Sequence, residues 1–193
     1  MRLTQRIGHR LAAAAASAML LATSVQAQDR PPVRTVDAVD LGRYVGEWFE
    51  VARFPNRFQR KCLSDVKATY ATRPDGRIDV TNQCRTEDGR TEANGVARVV
   101  DKRTNATLEV RFAPALLSFL PSVWGDYWIL GLASDYSWAV VGSPDREYLW
   151  ILARTASLSE PDYAAALAVA TTNGFDVGRL VKTTHGAATG NQP

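Results

Sequence analysis

Most of the chain consists of short stretches in which apolar and polar residues alternate, separated by turn-forming residues. Alternation with a period of two is typical of β-strands that bury one face. The pattern predicts an all-β fold with eight antiparallel strands in up-and-down order, at 46–54, 65–72, 78–84, 94–101, 107–113, 126–133, 137–142 and 148–154. Eight such strands can close into a barrel whose interior holds side chains or one small ligand.

One α-helix follows the strands, with clear signals at both ends. Ser159 is the predicted N-cap, and Asp162 is placed for a capping box. Gly174 supplies the left-handed residue that ends the helix. The helix is expected to pack outside the barrel, and a short ninth strand is predicted at about 178–183.

Three separated segments are expected to meet at one end of the barrel. In an up-and-down order, the start of the first strand, the turn after the sixth and the end of the eighth all lie there. These segments carry Gly46, Trp48, Asp135, Tyr136 and Arg154. A guanidinium over an indole face is a favourable cation–π arrangement, so we predict that Arg154 covers Trp48 and closes this end. The alternative is a solvated arginine and an ordinary core tryptophan.

The two ends of the chain are predicted to lie outside the folded domain. Residues 1–27 combine arginines, an apolar core and a small-residue cleavage pattern, which is typical of an export signal. The apolar core is too short for the alternative, a membrane anchor. Residues 28–37 are predicted as an extended lead-in, 38–183 as the domain and 184–193 as a disordered tail. We expect a soluble periplasmic or secreted protein, because no lipoprotein cysteine follows the cleavage site.

The basic character of the chain comes from the predicted signal. The whole chain has 23 Lys and Arg against 20 Asp and Glu. Three of the arginines and none of the acids lie in residues 1–27, so 20 basic residues remain against 20 acidic ones. A neutral domain gives no electrostatic support for nucleic-acid binding. Because the sequence has no metal-binding or phosphate-binding motif, neither a metal nor a cofactor is expected.

The chain has two cysteines, Cys62 and Cys84. Export to an oxidising compartment favours a disulfide between them. The hairpin predicted at 73–76 places Cys84 opposite Asp65, three residues from Cys62. A bridge would therefore tie the first loop at the open end of the barrel to the third strand. Two separate buried thiols are the alternative.

Several segments resemble the lipocalin family, specifically the group of bacterial (Blc-type) lipocalins and apolipoprotein D. They are 46–52 (GEWFEVA), 68–70 (ATY), 135–136 (DY) and 149–154 (LWILAR), with 53–58 (RFPNRF) resembling the first loop of the bacterial proteins. The resemblance covers nearly all of 38–183. It implies an eight-stranded lipocalin barrel that carries a hydrophobic ligand in its interior.

Candidate ligand-binding residues follow from this resemblance and from the alternation. The resemblance implies that Tyr70, Asn82, Phe112 and Trp150 line the cavity. Tyr127, Ile129 and Glu50 are added because the alternation turns them inward. The alternative is that these side chains only fill the core. Asn82 is informative, since a polar side chain in an apolar cavity needs a partner, a water or a ligand head group.

The loop 113–124 carries an unusual number of apolar side chains for a surface loop. They are Leu116, Leu117, Phe119 and Leu120. One interpretation is a lip at the open end that guides lipid, touches a membrane or pairs with a second copy. The other is a lid folded back over the opening.

Three functions are compatible with the sequence. The first is a non-enzymatic carrier of fatty acids or lysophospholipids, with a role in maintaining lipids of the cell envelope. The second is an enzyme on the same barrel, with Glu50 as a buried acid or base. A hydrogen bond from Glu50 to a Tyr or Asn across the cavity is the non-catalytic interpretation of that residue. The third is an interaction module, either a homodimer or a membrane-binding protein, that uses the loop 113–124.

Overall fold

The computed structural model describes residues 31–186. Eight antiparallel strands form a closed barrel, because the first strand pairs with both the eighth and the second. The strands are β1 (Gly46–Arg53), β2 (Ser64–Thr72), β3 (Ile78–Thr86), β4 (Gly89–Val99), β5 (Thr107–Arg111), β6 (Gly125–Leu132), β7 (Trp138–Gly142) and β8 (Leu149–Ala153). The predicted fold class is confirmed, and β4 begins five residues before its predicted start. We call the end where β1 begins the base and the opposite end the mouth.

The ninth strand, β9 (Val181–Lys182), closes a gap near the mouth. The lower part of β1 pairs with β2, and the upper part pairs with β9 through Ala52 and Arg53. Residues 181–186, which we call the C-terminal strap, then bridge to β2, since Thr184 O accepts from Asp65 N at 2.9 Å. Thus the prediction that 184–186 are disordered is wrong. The unpaired upper edges of β1 and β2 need backbone partners, and the strap supplies them.

The helix α2 (Glu160–Thr172) packs against β6 and β7 outside the barrel. As predicted, Ser159 caps its start by accepting a hydrogen bond from Asp162 N, and Gly174 adopts a φ of 77° after its end. A short helix, α1 (Leu41–Tyr44), was not predicted. Asp40 begins it by accepting hydrogen bonds from the next backbone amides, a capping signal that is easily missed before a single turn.

Buried apolar residues form two clusters separated by the barrel wall. One fills the interior around Trp48, Ile129 and Leu152. The other lies between the outer wall and α2, around Phe54 and Ile151. Successive side chains of β7 and β8 point in turn into the inner and the outer cluster. Both faces of these strands are therefore buried, which is why their sequences are almost entirely apolar.

The described part of the chain contains the disulfide Cys62–Cys84, with sulfurs 2.05 Å apart, so this prediction is confirmed. Within residues 31–186, no helix is long and apolar enough to cross a membrane. The predicted signal, 1–27, and the remainder of the predicted tail, 187–193, lie outside the described residues.

Candidate ligand-binding site

At the base, Arg154 lies over the face of the Trp48 indole. The guanidinium carbon is 3.8 Å from the centre of the ring, and Trp48 is fully buried. The guanidinium also donates to the carbonyl of Glu47 at 2.7 Å and to the carbonyls of residues 43–45 at 2.7–3.0 Å. These bonds satisfy carbonyls at the end of α1. The contact therefore ties the end of β8 to β1 and to α1.

The other residues predicted at the base surround the contact between Arg154 and Trp48. Gly46 has a φ of 98°, and a Cβ there would lie 3.3 Å from the guanidinium of Arg154. Asp135 accepts from Ser137 N and shapes the turn before β7. The hydroxyl of Tyr136 accepts from Asp40 N at 2.9 Å, and Arg43 stacks on its ring. All five predicted residues thus lie at one end, and their role as a seal remains a prediction.

Above Trp48, three tyrosine hydroxyls meet inside the barrel. The Tyr127 hydroxyl lies 2.8 Å from that of Tyr44 and 2.9 Å from that of Tyr70. Burial raises the pKa of Tyr70 to about 12 and raises the pKa values of Tyr44 and Tyr127 as well. All three phenols are therefore neutral at physiological pH. Tyr44 was missed in the sequence because it lies on the unpredicted α1.

The interior is packed near the base and accessible near the mouth. Ile129 is fully buried in the lower interior, among side chains that fill the core. Asn82 shares the inner face of β3 with Val80 but is exposed. The ring of Phe112 lies across Gly95, where a Cβ would approach it to 2.8 Å, and remains 42% exposed. The upper inner wall is thus accessible at Asn82 and Phe112.

Trp150 occupies the opposite side of the upper wall. Its ring stacks on Tyr148, with the centres 5.8 Å apart, and its indole N–H donates to Gln59 Oε1 at 3.0 Å. Gln59 lies in the first mouth loop (55–63), which the disulfide fixes to β3 at its far end. The first mouth loop is consequently held on two sides of the opening.

Glu50 points inward but has other partners than the predicted Tyr or Asn. It is 2% exposed and accepts hydrogen bonds from Gln59 Nε2 and Thr183 Oγ1, each at 2.5 Å, with Arg53 at 3.4 Å. Burial raises the pKa of Glu50, against the opposing effect of these partners. Glu50 therefore joins β1, the first mouth loop and the C-terminal strap.

Little in the sequence indicated that these residues are the partners of Glu50. A β-bulge between Glu50 and Ala52 shifts the register of β1, so Arg53 pairs with Trp150 and shares its face. Strict alternation would place Arg53 on the outer face. His185, expected in the tail, instead contacts the backbone oxygen of Glu50 at 2.8 Å.

The lip loop (113–124) projects from the mouth with its apolar side chains in solvent. Leu116 is 82% exposed and Phe119 74%, while Leu117 and Leu120 are each 37% exposed. Trp124 fixes the end of this loop where it joins β6, since the guanidinium groups of Arg98 and Arg111 both lie over its ring. The exposure of these side chains agrees with a lip, and the role of the loop remains a prediction.

A surface cleft of about 400 Å³ lies at the base, away from these residues. Five of the eight residues that line it are polar or charged, namely Asp75, Arg77, Arg98, Lys102 and Asn105. These side chains disfavour an apolar ligand, so the upper interior is the better candidate site.

A closed eight-stranded antiparallel barrel with a packed base and an accessible mouth is an architecture that can hold one small ligand. A model of the lipocalin-like domain matches residues 39–185. The chain therefore belongs to the lipocalin family, as its sequence motifs indicated. Lipocalins are in general binding and transport proteins, and membership supports a function in binding a hydrophobic ligand.

Relatives with established names support this assignment. Temperature-induced lipocalin-1 of Arabidopsis thaliana is 40% identical over 157 residues, covering 80% of this chain and 84% of that protein. Outer membrane lipoprotein Blc of Escherichia coli K12 is 38% identical over 173 residues, covering 89% and 93%. Among solved structures, insecticyanin from the tobacco hornworm Manduca sexta superposes with a TM-score of 0.64 at 20% identity, covering 82% and 87%. This last similarity concerns the fold alone.

Proposed function

We propose that the protein is a carrier of single-chain lipids, namely fatty acids or lysophospholipids, which it binds in the upper interior of the barrel. The observation that carries this proposal is the accessible inner wall formed by Asn82, Phe112, Tyr127 and Trp150 above a packed base. An acyl chain can contact the aromatic rings while its polar head group stays near the mouth.

The energetics of an acyl chain agree with such a carrier. Burying about fifteen methylene groups at ~0.8 kcal/mol each gives roughly 12 kcal/mol. The costs of association and ordering reduce this to about −8 kcal/mol, which corresponds to micromolar affinity. Affinity of that order suits a protein that both loads and releases lipid.

We place this carrier in the periplasm or outside the cell, in the maintenance of envelope lipids. The Escherichia coli relative is named an outer membrane lipoprotein. In the present chain the first cysteine is Cys62, far beyond the predicted cleavage site. A cleaved, soluble carrier fits this sequence better.

Catalysis by Glu50 receives little support from its surroundings. Both carboxylate oxygens accept hydrogen bonds from protein side chains, and the residue is almost fully buried. A general base has to reach a proton on its substrate. Glu50 is better suited to hold the mouth together.

The test is titration with palmitate and lysophosphatidylcholine, followed by calorimetry. We expect micromolar binding, and a roughly tenfold loss in Phe112→Ala, because the contact of the aromatic ring with the acyl chain is removed. Val100→Ala serves as the control, since Val100 is exposed at the base. Failure of both lipids to bind at about 100 µM, well above the expected micromolar Kd, would overturn the proposal.

The exposed lip favours a second function, direct transfer of lipid at a membrane surface. Leu116 and Phe119 present more apolar surface than a solvated loop requires. A double variant, Leu116→Ser with Phe119→Ser, should slow lipid uptake from vesicles without changing the affinity for dissolved palmitate. Val100→Ser is the matched control. Unchanged uptake would reject this function, and a change in sedimentation instead would indicate that the lip pairs two copies.

A further inference from the structure

The three tyrosine hydroxyls inside the barrel form a cluster, which we call the tyrosine cluster, with three donor hydrogens but only two hydrogen bonds. Tyr44, Tyr70 and Tyr127 come from α1, β2 and β6, and the Tyr127 oxygen contacts the other two at 2.8 and 2.9 Å. A neutral phenol carries one hydrogen to donate. Two contacts use two of the three hydrogens, and no other acceptor for these hydroxyls occurs among residues 31–186.

The position of the spare hydrogen follows from the exposure of the three rings. Tyr44 and Tyr70 are 3% and 8% exposed, whereas Tyr127 is partly exposed. Tyr127 lies on the inner face of β6 opposite Leu108, between the packed lower interior and the mouth. If Tyr44 and Tyr70 both donate to the Tyr127 oxygen, the hydrogen of Tyr127 is free for a group that enters from above.

A donor without an acceptor in an apolar interior is unfavourable, so a water or a ligand atom must complete the cluster. Arg154 is the cation whose charge affects the tyrosines. It lies below Trp48 and already donates hydrogen bonds to backbone carbonyls. A carboxylate at the cluster would therefore be buried without a paired cation, which is costly. A neutral oxygen is the better partner, and it can replace a bound water.

We propose that the tyrosine cluster is a hydrogen-bond donor site for a neutral oxygen on the buried end of the ligand. The preferred ligands are then acyl chains with a hydroxyl or carbonyl group near the end that enters first, with the carboxylate or head group left at the mouth. This inference rests on the proposed function, because it assumes that an acyl chain occupies the upper interior.

The experiment compares lauric, palmitic and stearic acids with their ω-hydroxy derivatives of the same length. Calorimetry gives, for each pair, the ratio of the two dissociation constants. Tyr127→Phe removes the donor that faces the mouth and leaves only the two buried hydroxyls of Tyr44 and Tyr70. In this variant the ratio should therefore move about tenfold towards the unsubstituted acid, as expected when a buried hydroxyl of the ligand loses its partner. Because both dissociation constants of a pair are measured on the same variant, a general effect of the substitution on acyl-chain binding cancels in the ratio.

Tyr163→Phe is the matched control. It removes the same hydroxyl from a tyrosine on α2, in the cluster outside the barrel, so the ratio should not change. A ratio that is equal in the wild type and in Tyr127→Phe at every chain length would overturn the donor site while leaving the carrier in place. Absence of binding by all six lipids to the wild type would instead overturn the proposed function.

Discussion

The base and the mouth of this barrel are both held together by polar contacts, but of different kinds. At the base, one guanidinium bonds to four backbone carbonyls and stacks on a buried indole. At the mouth, side chains bond to side chains around Glu50, and a disulfide fixes the first mouth loop. The base therefore depends on groups that keep their charge, whereas the mouth includes a group that titrates.

The difference suggests how the two ends divide their roles. Backbone carbonyls cannot move without displacing the strands that carry them, so the base is rigid. Side-chain partners such as Gln59 and Thr183 can exchange with solvent or change rotamer at modest cost. We infer that adjustment to ligands is confined to the mouth, and three variants test this division.

The largest effect is expected from removing the disulfide at the mouth with Cys62→Ser and Cys84→Ser. The bridge closes a segment of 22 residues, and the chain-entropy model gives about 3 kcal/mol of stabilisation for such a loop. The melting temperature should fall by roughly 10 °C. Thermal unfolding of the wild type in reductant is the control, and it should reproduce the value of the variant. An unchanged melting temperature would show that the disulfide does not constrain the unfolded chain.

At the base, Arg154→Ala should lower the free energy of unfolding by about 2–3 kcal/mol, because it removes a desolvated cation–π contact and several hydrogen bonds. The control is Arg179→Ala. Arg179 stacks on Phe54 at 4.4 Å but is exposed, and the described residues give its side chain no hydrogen bond. That variant should cost less than about 1 kcal/mol. Equal losses in urea denaturation would mean that the carbonyl contacts contribute nothing.

The smallest effect concerns the pH dependence of the mouth. Because burial raises the pKa of Glu50, the folded state binds its proton more tightly than the unfolded state. The resulting stabilisation is complete below the ordinary carboxyl pKa and is lost as the pH rises through the raised pKa. Glu50→Gln cannot titrate, so its stability relative to the wild type should increase with pH, by at most about 1.4 kcal/mol per pH unit in that window.

Urea denaturation at a series of pH values measures this difference. Glu47→Gln removes an exposed carboxylate from the same strand and controls for the change in net charge. A difference between Glu50→Gln and the wild type that stays constant with pH would contradict the assignment of a titrating group to the mouth.

The base could be predicted from sequence better than the mouth, for physical reasons. Trp48 and Arg154 lie on strands whose alternation and up-and-down order fix both their faces and their end of the barrel. The mouth depends on irregular backbone that no periodicity encodes. The bulge after Glu50 turns Arg53 inward, and Thr183 reaches the site only because the chain returns to β1 after α2.

Tyr44 illustrates a second kind of miss. It completes the hydroxyl cluster and supplies a carbonyl to both Trp48 and Arg154. A four-residue helix gives too few positions for an amphipathic pattern. Its one usable signal was Asp40, whose side chain caps the helix.

The route of the C-terminal strap has a practical consequence for handling the protein. Gly186 N donates to Asp65 Oδ1 at 2.7 Å, so the described chain ends at the rim of the opening. A purification tag or a surface linker joined directly after Gly186 would start beside the entrance and obstruct loading. Immobilisation for binding assays should therefore use a site at the opposite pole, such as the exposed hairpin around Gly76.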